Sequence, residues 1–162
     1  MIDPDKIISK VIEAAIAAGK FIETEGNNFD ITRIEYKGKN DLVSYVDKQA
    51  EKLLLESLRE ILPEAGFIAE EGSGKKNERG LNWLIDPLDG TTNFMHGLPF
   101  FSVSIGLMEK SEVILGVIYH ISDHNCYWAT KNGKAYCDGT ELHVSDVRKF
   151  EDGLYITGYP YS

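Results

Sequence analysis

Asp86 and Asp89 stand three residues apart in the run Trp83-Leu84-Ile85-Asp86-Pro87-Leu88-Asp89-Gly90-Thr91-Thr92-Asn93-Phe94. A short apolar strand over residues 82–85 delivers Asp86 to its carboxyl end, and Pro87, which has no N–H, is expected to end the ladder. Both carboxylates then converge on one turn. Gly90 lets the backbone pass close to a ligand, and if Thr91 and Thr92 open a short helix, their N–H groups and the positive end of its dipole face the same point. Carboxylates for a hard cation beside amides for an anion are what metal-assisted phosphate chemistry needs. Mg²⁺ takes oxygen ligands, keeps several waters and is shared between a few carboxylates and phosphate oxygens.

Three other readings of this run compete. Asp-Pro and Asp-Gly are turn dipeptides, so a plain surface turn with a capping Asp stays open. A calcium EF-hand loop needs oxygen residues at its first, third and fifth positions, a pattern that fails at Pro87 and Leu88. The aspartyl-phosphate pattern D-x-D-G-T nearly matches residues 87–91, but its nucleophile position is Pro87, so no carboxylate is available for covalent attack and water must attack instead.

The elements that must position these groups are legible from periodicity. Asp3 and Pro4 read as an N-cap and first helical residue, and Ile7, Ile8, Val11, Ile12, Ala15, Ile16 and Phe21 recur at helical spacing up to Gly26. A polar stretch through Lys37-Gly38-Lys39-Asn40-Asp41 leads to a second helix that starts near Ser44 to Asp47, with Asp47 a candidate N-cap, and runs to Pro63. Gly66 to Ala69 reads as a buried strand entering Glu70-Glu71. Gly72 to Gly80 has the composition of a loop able to move. Apolar runs at Phe100–Met108, Val113–Ile121 and Cys126–Ala129 form an antiparallel meander, with hairpin turns at Asn132-Gly133 and Asp138-Gly139 and a further strand beginning at Leu154–Thr157. Helices first and strands after make an α+β architecture, with two long helices packed on a large, mostly antiparallel sheet.

Composition narrows the function classes. The 162 residues are 43% hydrophobic and 27% charged, which suits a single globular domain over residues 1–162. Seventeen basic against twenty-six acidic side chains leave a net charge of −9, a field that repels nucleic acid and anionic lipid alike. No apolar run approaches the ~20 residues that cross a bilayer, and the first residues lack a signal pattern, so the expected compartment is the cytoplasm. Cys126 and Cys137 lack metal-site or redox spacing and read as small hydrophobes. His96, His120, His124 and His143 share no ligand spacing and read as surface or packing residues.

Residues 83–94 together with Phe67-Ile68-Ala69-Glu70-Glu71, Lys37 to Val43 with Asp47, and Phe100 to Leu107 resemble the inositol monophosphatase family. The resemblance implies a layered αβαβα-type fold, usually dimeric, and a Mg²⁺-dependent phosphomonoesterase acting on a small phosphorylated sugar or cyclitol. Inositol monophosphate is the first choice; a sugar bisphosphate, a nucleotide 3′-phosphate, or a non-catalytic metal- and phosphate-binding role are the alternatives. Water activated by two or three Mg²⁺ ions attacks phosphorus directly. Carried over by position, Glu70 and Asp86 are metal ligands, the Leu88 carbonyl supplies a further oxygen, and Asp89 holds the second metal. Glu70 is also near the attacking water, which Thr91, paired with Asp47, orients or deprotonates. The Gly90 and Thr91 amides, with Leu88 and Asp89, receive the substrate phosphate. Glu71 and Lys37 support from behind. Independently of the family, Glu70, Asp86 and Asp89 would repel one another strongly if brought together without a cation.

Two departures stand out. Ala69 replaces the glycine that usually precedes the acidic pair. Family members also continue into a C-terminal segment whose Trp-Asp motif completes the metal site, whereas this sequence stops at Ser162. The expectation is therefore an N-terminal portion of the family fold that exposes apolar sheet surface, associates, and turns over weakly when alone.

Overall fold

The computed structural model describes residues 2–28, 36–70, 72, 74–78 and 80–157, with residues 36–44 described through their backbone only. Asp3 caps a 3₁₀ turn at Pro4–Lys6, its carboxylate accepting the Asp5 N–H at 3.3 Å. Helix α1 (Ile8–Asn27) follows, and then α2 (Tyr36–Ile61). The second helix thus begins well before Ser44. Lys37 to Asp41 are helical rather than a leading loop, and Asp47 lies within α2 instead of capping it. Gly38, Asn40 and Asp41 are poor helix formers, which is why this stretch reads as a turn. Neither helix, nor any other described one, is long and apolar enough to cross a membrane.

Among the described residues the sheet has seven strands in sequential order: β1 (Gly66–Ala69), β2 (Leu81–Asp89), β3 (Ser102–Glu109), β4 (Glu112–His120), β5 (Asn125–Thr130), β6 (Ala135–Cys137) and β7 (Thr140–Leu142). Only β1 and β2 run parallel; every other neighbouring pair is antiparallel. Local chemistry sets the hairpins. Asp138 (φ 47°) and Gly139 (φ 83°) make the two-residue turn between β6 and β7, where both central residues need positive φ. Asn132 (φ 63°) takes the left-handed position in the turn between β5 and β6. Leu154–Thr157 forms no strand. Past a 3₁₀ turn at Phe150–Asp152 it runs exposed.

Alternation along the strands divides the sheet into two faces. Val103, Ile105 and Leu107 of β3, with Leu115, Val117 and Tyr119 of β4, are buried on the face that α1 and α2 cover. Val11, Ala15, Ala18 and Ile22 from α1, and Val46, Ala50, Leu54 and Leu58 from α2, complete this core. The intervening positions line a cavity of ≈ 680 Å³ with walls that include Ile68, Leu84, Gly116, Ile118, Tyr127 and Ala129, and also Glu70 and Asp86. Cys126 is buried, Cys137 is half-buried, and both are free thiols. Burial pushes the Cys126 thiol up to about 11, so it stays protonated and inert.

Candidate active site

Parallel pairing of β1 with β2 aligns Ala69 with Ile85, so the next residue on each strand, Glu70 and Asp86, emerges at the same level. The Glu70 N–H donates to the Ile85 carbonyl at 3.2 Å, which extends the register by one residue. The Glu70 carboxylate lies close enough to act on Asp86. Partial burial of Asp86, the nearby Glu70 carboxylate and the Asp89 charge together push its carboxyl up to about 7, against a small opposing pull from the Leu88 N–H. The Leu88 N–H reaches Asp86 Oδ1 at 3.2 Å.

Pro87 does not end the strand. β2 continues to Asp89, and the pairing with β3 slips between Asp86 (opposite Ser104) and Asp89 (opposite Ser102), so three steps on β2 face two on β3. A bulge of this kind re-aims side chains next to functional sites and absorbs a proline that has no ladder bond to give. Gly90 then turns the chain at φ 93° and caps α3 (Thr91–Met95). A Cβ at Gly90 would lie 2.6 Å from the Phe100 carbonyl oxygen, so only glycine fits there. The Phe94 N–H donates to the Gly90 carbonyl at 3.0 Å, leaving the earlier amides of α3 without acceptors in their own helix. The Thr91 hydroxyl donates to the Leu88 carbonyl at 2.9 Å, and Asn93 Nδ2 holds the Phe100 carbonyl at 2.7 Å.

Glu70, Asp86, Leu88, Asp89, Gly90 and Thr91 therefore lie on two adjacent strand ends and the turn that follows. Asp89 is exposed at the end of β2, close enough for its charge to act on Asp86. Asp47 is buried on α2, the helix that packs against α3. Glu71, and the side chain of Lys37, lie outside the described residues. Of the histidines, His124 bonds the Tyr119 hydroxyl through Nδ1 at 3.2 Å, and His120 lies 3.4 Å from Asp123. Neither joins the acidic pair.

Two features escaped the sequence reading. Glu51 is 1% exposed, one turn along α2 from Asp47. The spacing Asp47, Glu51, Leu54, Leu58 follows the apolar stripe, so two acids on the core face were legible as a signal. Asn82 is equally buried and ties the segment around Asn77 to the sheet.

The donor set suits a divalent cation. Two neighbouring carboxylates repel when both are ionised, and a cation between them can offset that repulsion while carbonyl and water oxygens complete its shell. Among the described residues, no group of three or more acids, histidines or cysteines converges closely enough to hold a metal alone. The arrangement is an open half-site rather than a closed cage.

An acidic pair level on two parallel strands, followed by a bulge, a glycine turn and a short helix, is an arrangement whose groups could receive a cation and an oxyanion. The chain matches the inositol monophosphatase family over residues 3–162 and belongs to it. It is 32% identical over 156 residues to the inositol-1-monophosphatase of Rhizobium meliloti (strain 1021), covering 96% of this chain and 59% of that protein. It is 33% identical over 156 residues to Nus factor SuhB of Escherichia coli (strain K12), covering 96% and 58%. The fold superposes on the extragenic suppressor protein suhB of Bartonella henselae with a TM-score of 0.78 at 31% identity, over 91% of this chain and 57% of that one. The chain thus spans less than three-fifths of the length of these relatives.

Proposed function

We propose that these residues form the nucleophile and phosphate side of a Mg²⁺-dependent phosphomonoesterase acting on a small phosphorylated cyclitol or sugar, with inositol monophosphate as first substrate. The observation that carries this reading is the parallel register that sets Glu70 level with Asp86, close to the turn into α3. When bound, Mg²⁺ supplies Lewis-acid polarisation of the phosphate and lowers the pKa of water. Glu70 and Asp86 are the chain's carboxylate ligands, with Asp89 and the Leu88 carbonyl extending the set toward a second ion. Glu70 is also placed to accept a proton from the attacking water. Thr91 spends its hydroxyl proton on Leu88, which leaves its oxygen lone pairs to receive a hydrogen from that water. Asp47 supports this arrangement from α2. Phosphate oxygens dock on the Gly90 and Thr91 amides. Glu71 and Lys37 act from behind the site. The protein works as a homodimer in the cytoplasm.

A relative named as a Nus factor favours a second reading, in which the chain keeps the cation and oxyanion cradle for assembly rather than hydrolysis. That name also stands against the expectation from charge that nucleic acid is excluded.

One assay separates the two readings. Phosphate release from inositol monophosphate, fructose 1,6-bisphosphate and a nucleotide 3′-phosphate is measured with Mg²⁺ and with chelator, for the chain alone and as encoded in its full reading frame. Release that requires Mg²⁺ and is lost in Asp86→Asn supports hydrolysis. Mg²⁺ binding without release in either form supports the second reading.

A further inference from the structure

Glu70 heads the loop that joins β1 to β2, and β1 is a four-residue strand at the edge of the sheet. Something must hold that edge, because an unpaired outer row of N–H and C=O groups leaves a short strand free to fray. The loop does so by folding back on it. The Phe67 N–H donates to the Lys75 carbonyl at 2.9 Å, and Gly74 sits so close that a Cβ there would lie 2.6 Å from the Phe67 carbonyl oxygen. The segment then crosses β1 at Gly66, where a Cβ would lie 2.2 Å from the Asn77 nitrogen.

What fastens it lies one strand further in. Asn82, 1% exposed on β2 and in register with Gly66, accepts the Asn77 N–H on Oδ1 at 2.7 Å and donates from Nδ2 to the Asn77 carbonyl at 2.8 Å. The same Nδ2 approaches the Gly80 carbonyl at 3.4 Å, and Asn77 Nδ2 donates to the Glu64 carbonyl at 3.3 Å. One carboxamide thus satisfies both backbone groups of Asn77, as a neighbouring strand would. Far from being free to move, the described part of this loop is latched.

We infer that Asn82 is a positioning residue: through the Asn77 latch it holds the Lys75 segment on the outer edge of β1 and so keeps Glu70 beside Asp86. The inference rests on the reading of Glu70 and Asp86 as cation ligands. Breaking a latch that only added stability would lower the melting temperature and leave cation affinity alone. Breaking a positioning latch lowers affinity as well, because residues supporting a ligand typically affect metal binding by about 10–100-fold.

The test uses Asn82→Leu, which keeps the branched shape but removes both bonds to Asn77, and Asn77→Pro, which removes the Asn77 N–H from the loop side. Mg²⁺ affinity is measured by calorimetry and the Phe67 amide by hydrogen exchange, with Ile22→Val as a destabilised control away from the loop. We expect faster Phe67 exchange and Mg²⁺ affinity lowered about tenfold in both variants. The double variant should be no worse than the weaker single one, and the control should bind as the parent does. If Asn82→Leu does not fold, Asn77→Pro alone decides. Parent-like affinity with a loosened Phe67 amide overturns the inference, as does a Phe67 amide that stays protected in Asn77→Pro. A parent chain that binds no Mg²⁺ overturns the underlying reading instead.

Discussion

Glu70, the residue after β1, lies level with Asp86 on the parallel neighbour β2, and its carboxylate is close enough to raise the Asp86 carboxyl. This juxtaposition joins residues sixteen apart in the sequence. It exists because β1 and β2 pair in parallel, the one such pair among the described residues, in a register that sets Ala69 opposite Ile85 and so brings the following residue of each to the same level.

The Asp86 carboxyl, raised from 3.8 to about 7, holds its proton more tightly in the folded chain than in the unfolded one. Between those values the folded state binds more protons, so this group's contribution is fully present below about pH 4 and is lost as pH rises through about 7. In chelator, urea denaturation from pH 4.5 to 8 should show the parent losing stability relative to Asp86→Asn across that window. A constant difference between the two would count against the raised Asp86 carboxyl.

Gly90 is the position where a side chain is least tolerable. Gly90→Ala must hold a positive φ and displace the Phe100 carbonyl, at a cost of about 1–3 kcal/mol. Turnover should fall further than stability explains, because α3 would move with the turn. Denaturation midpoints and phosphate release measured on one preparation check both parts.

Thr91 holds the Leu88 carbonyl through its hydroxyl. Thr91→Val removes that bond at nearly constant shape and should cost about 1 kcal/mol of stability and most of the turnover. Thr91→Ser keeps the bond and should retain most of both. Equal rates in the two variants would remove Thr91 from the mechanism.

Several elements were legible because their signals are local. Gly66–Ala69 is bounded by turn residues and folds with the limits its composition suggests, and Asp138-Gly139 carries the positive φ values its turn requires. The run from Asp86 to Thr91 announced a carboxylate turn followed by a helix. Features that depend on distant partners were hidden. Pro87 looks like a strand end, but the bulge opposite β3 lets β2 continue past it. Leu154–Thr157 has strand-like residues but forms no strand. Asn82 looks like an ordinary polar residue before an apolar run, and only the folded-back loop shows that its carboxamide replaces a strand neighbour.

Calorimetric titration of the chelated chain with Mg²⁺ at pH 6, in two buffers of different ionisation enthalpy, tests directly whether the Glu70 and Asp86 pair is a cation site. With Asp86 raised to about 7, most chains carry the Asp86 proton at that pH. Binding should release close to one proton, and Glu70→Gln and Asp86→Asn should each weaken it by an order of magnitude or more. Undiminished Mg²⁺ affinity in Asp86→Asn, or binding with no proton released, would contradict the account.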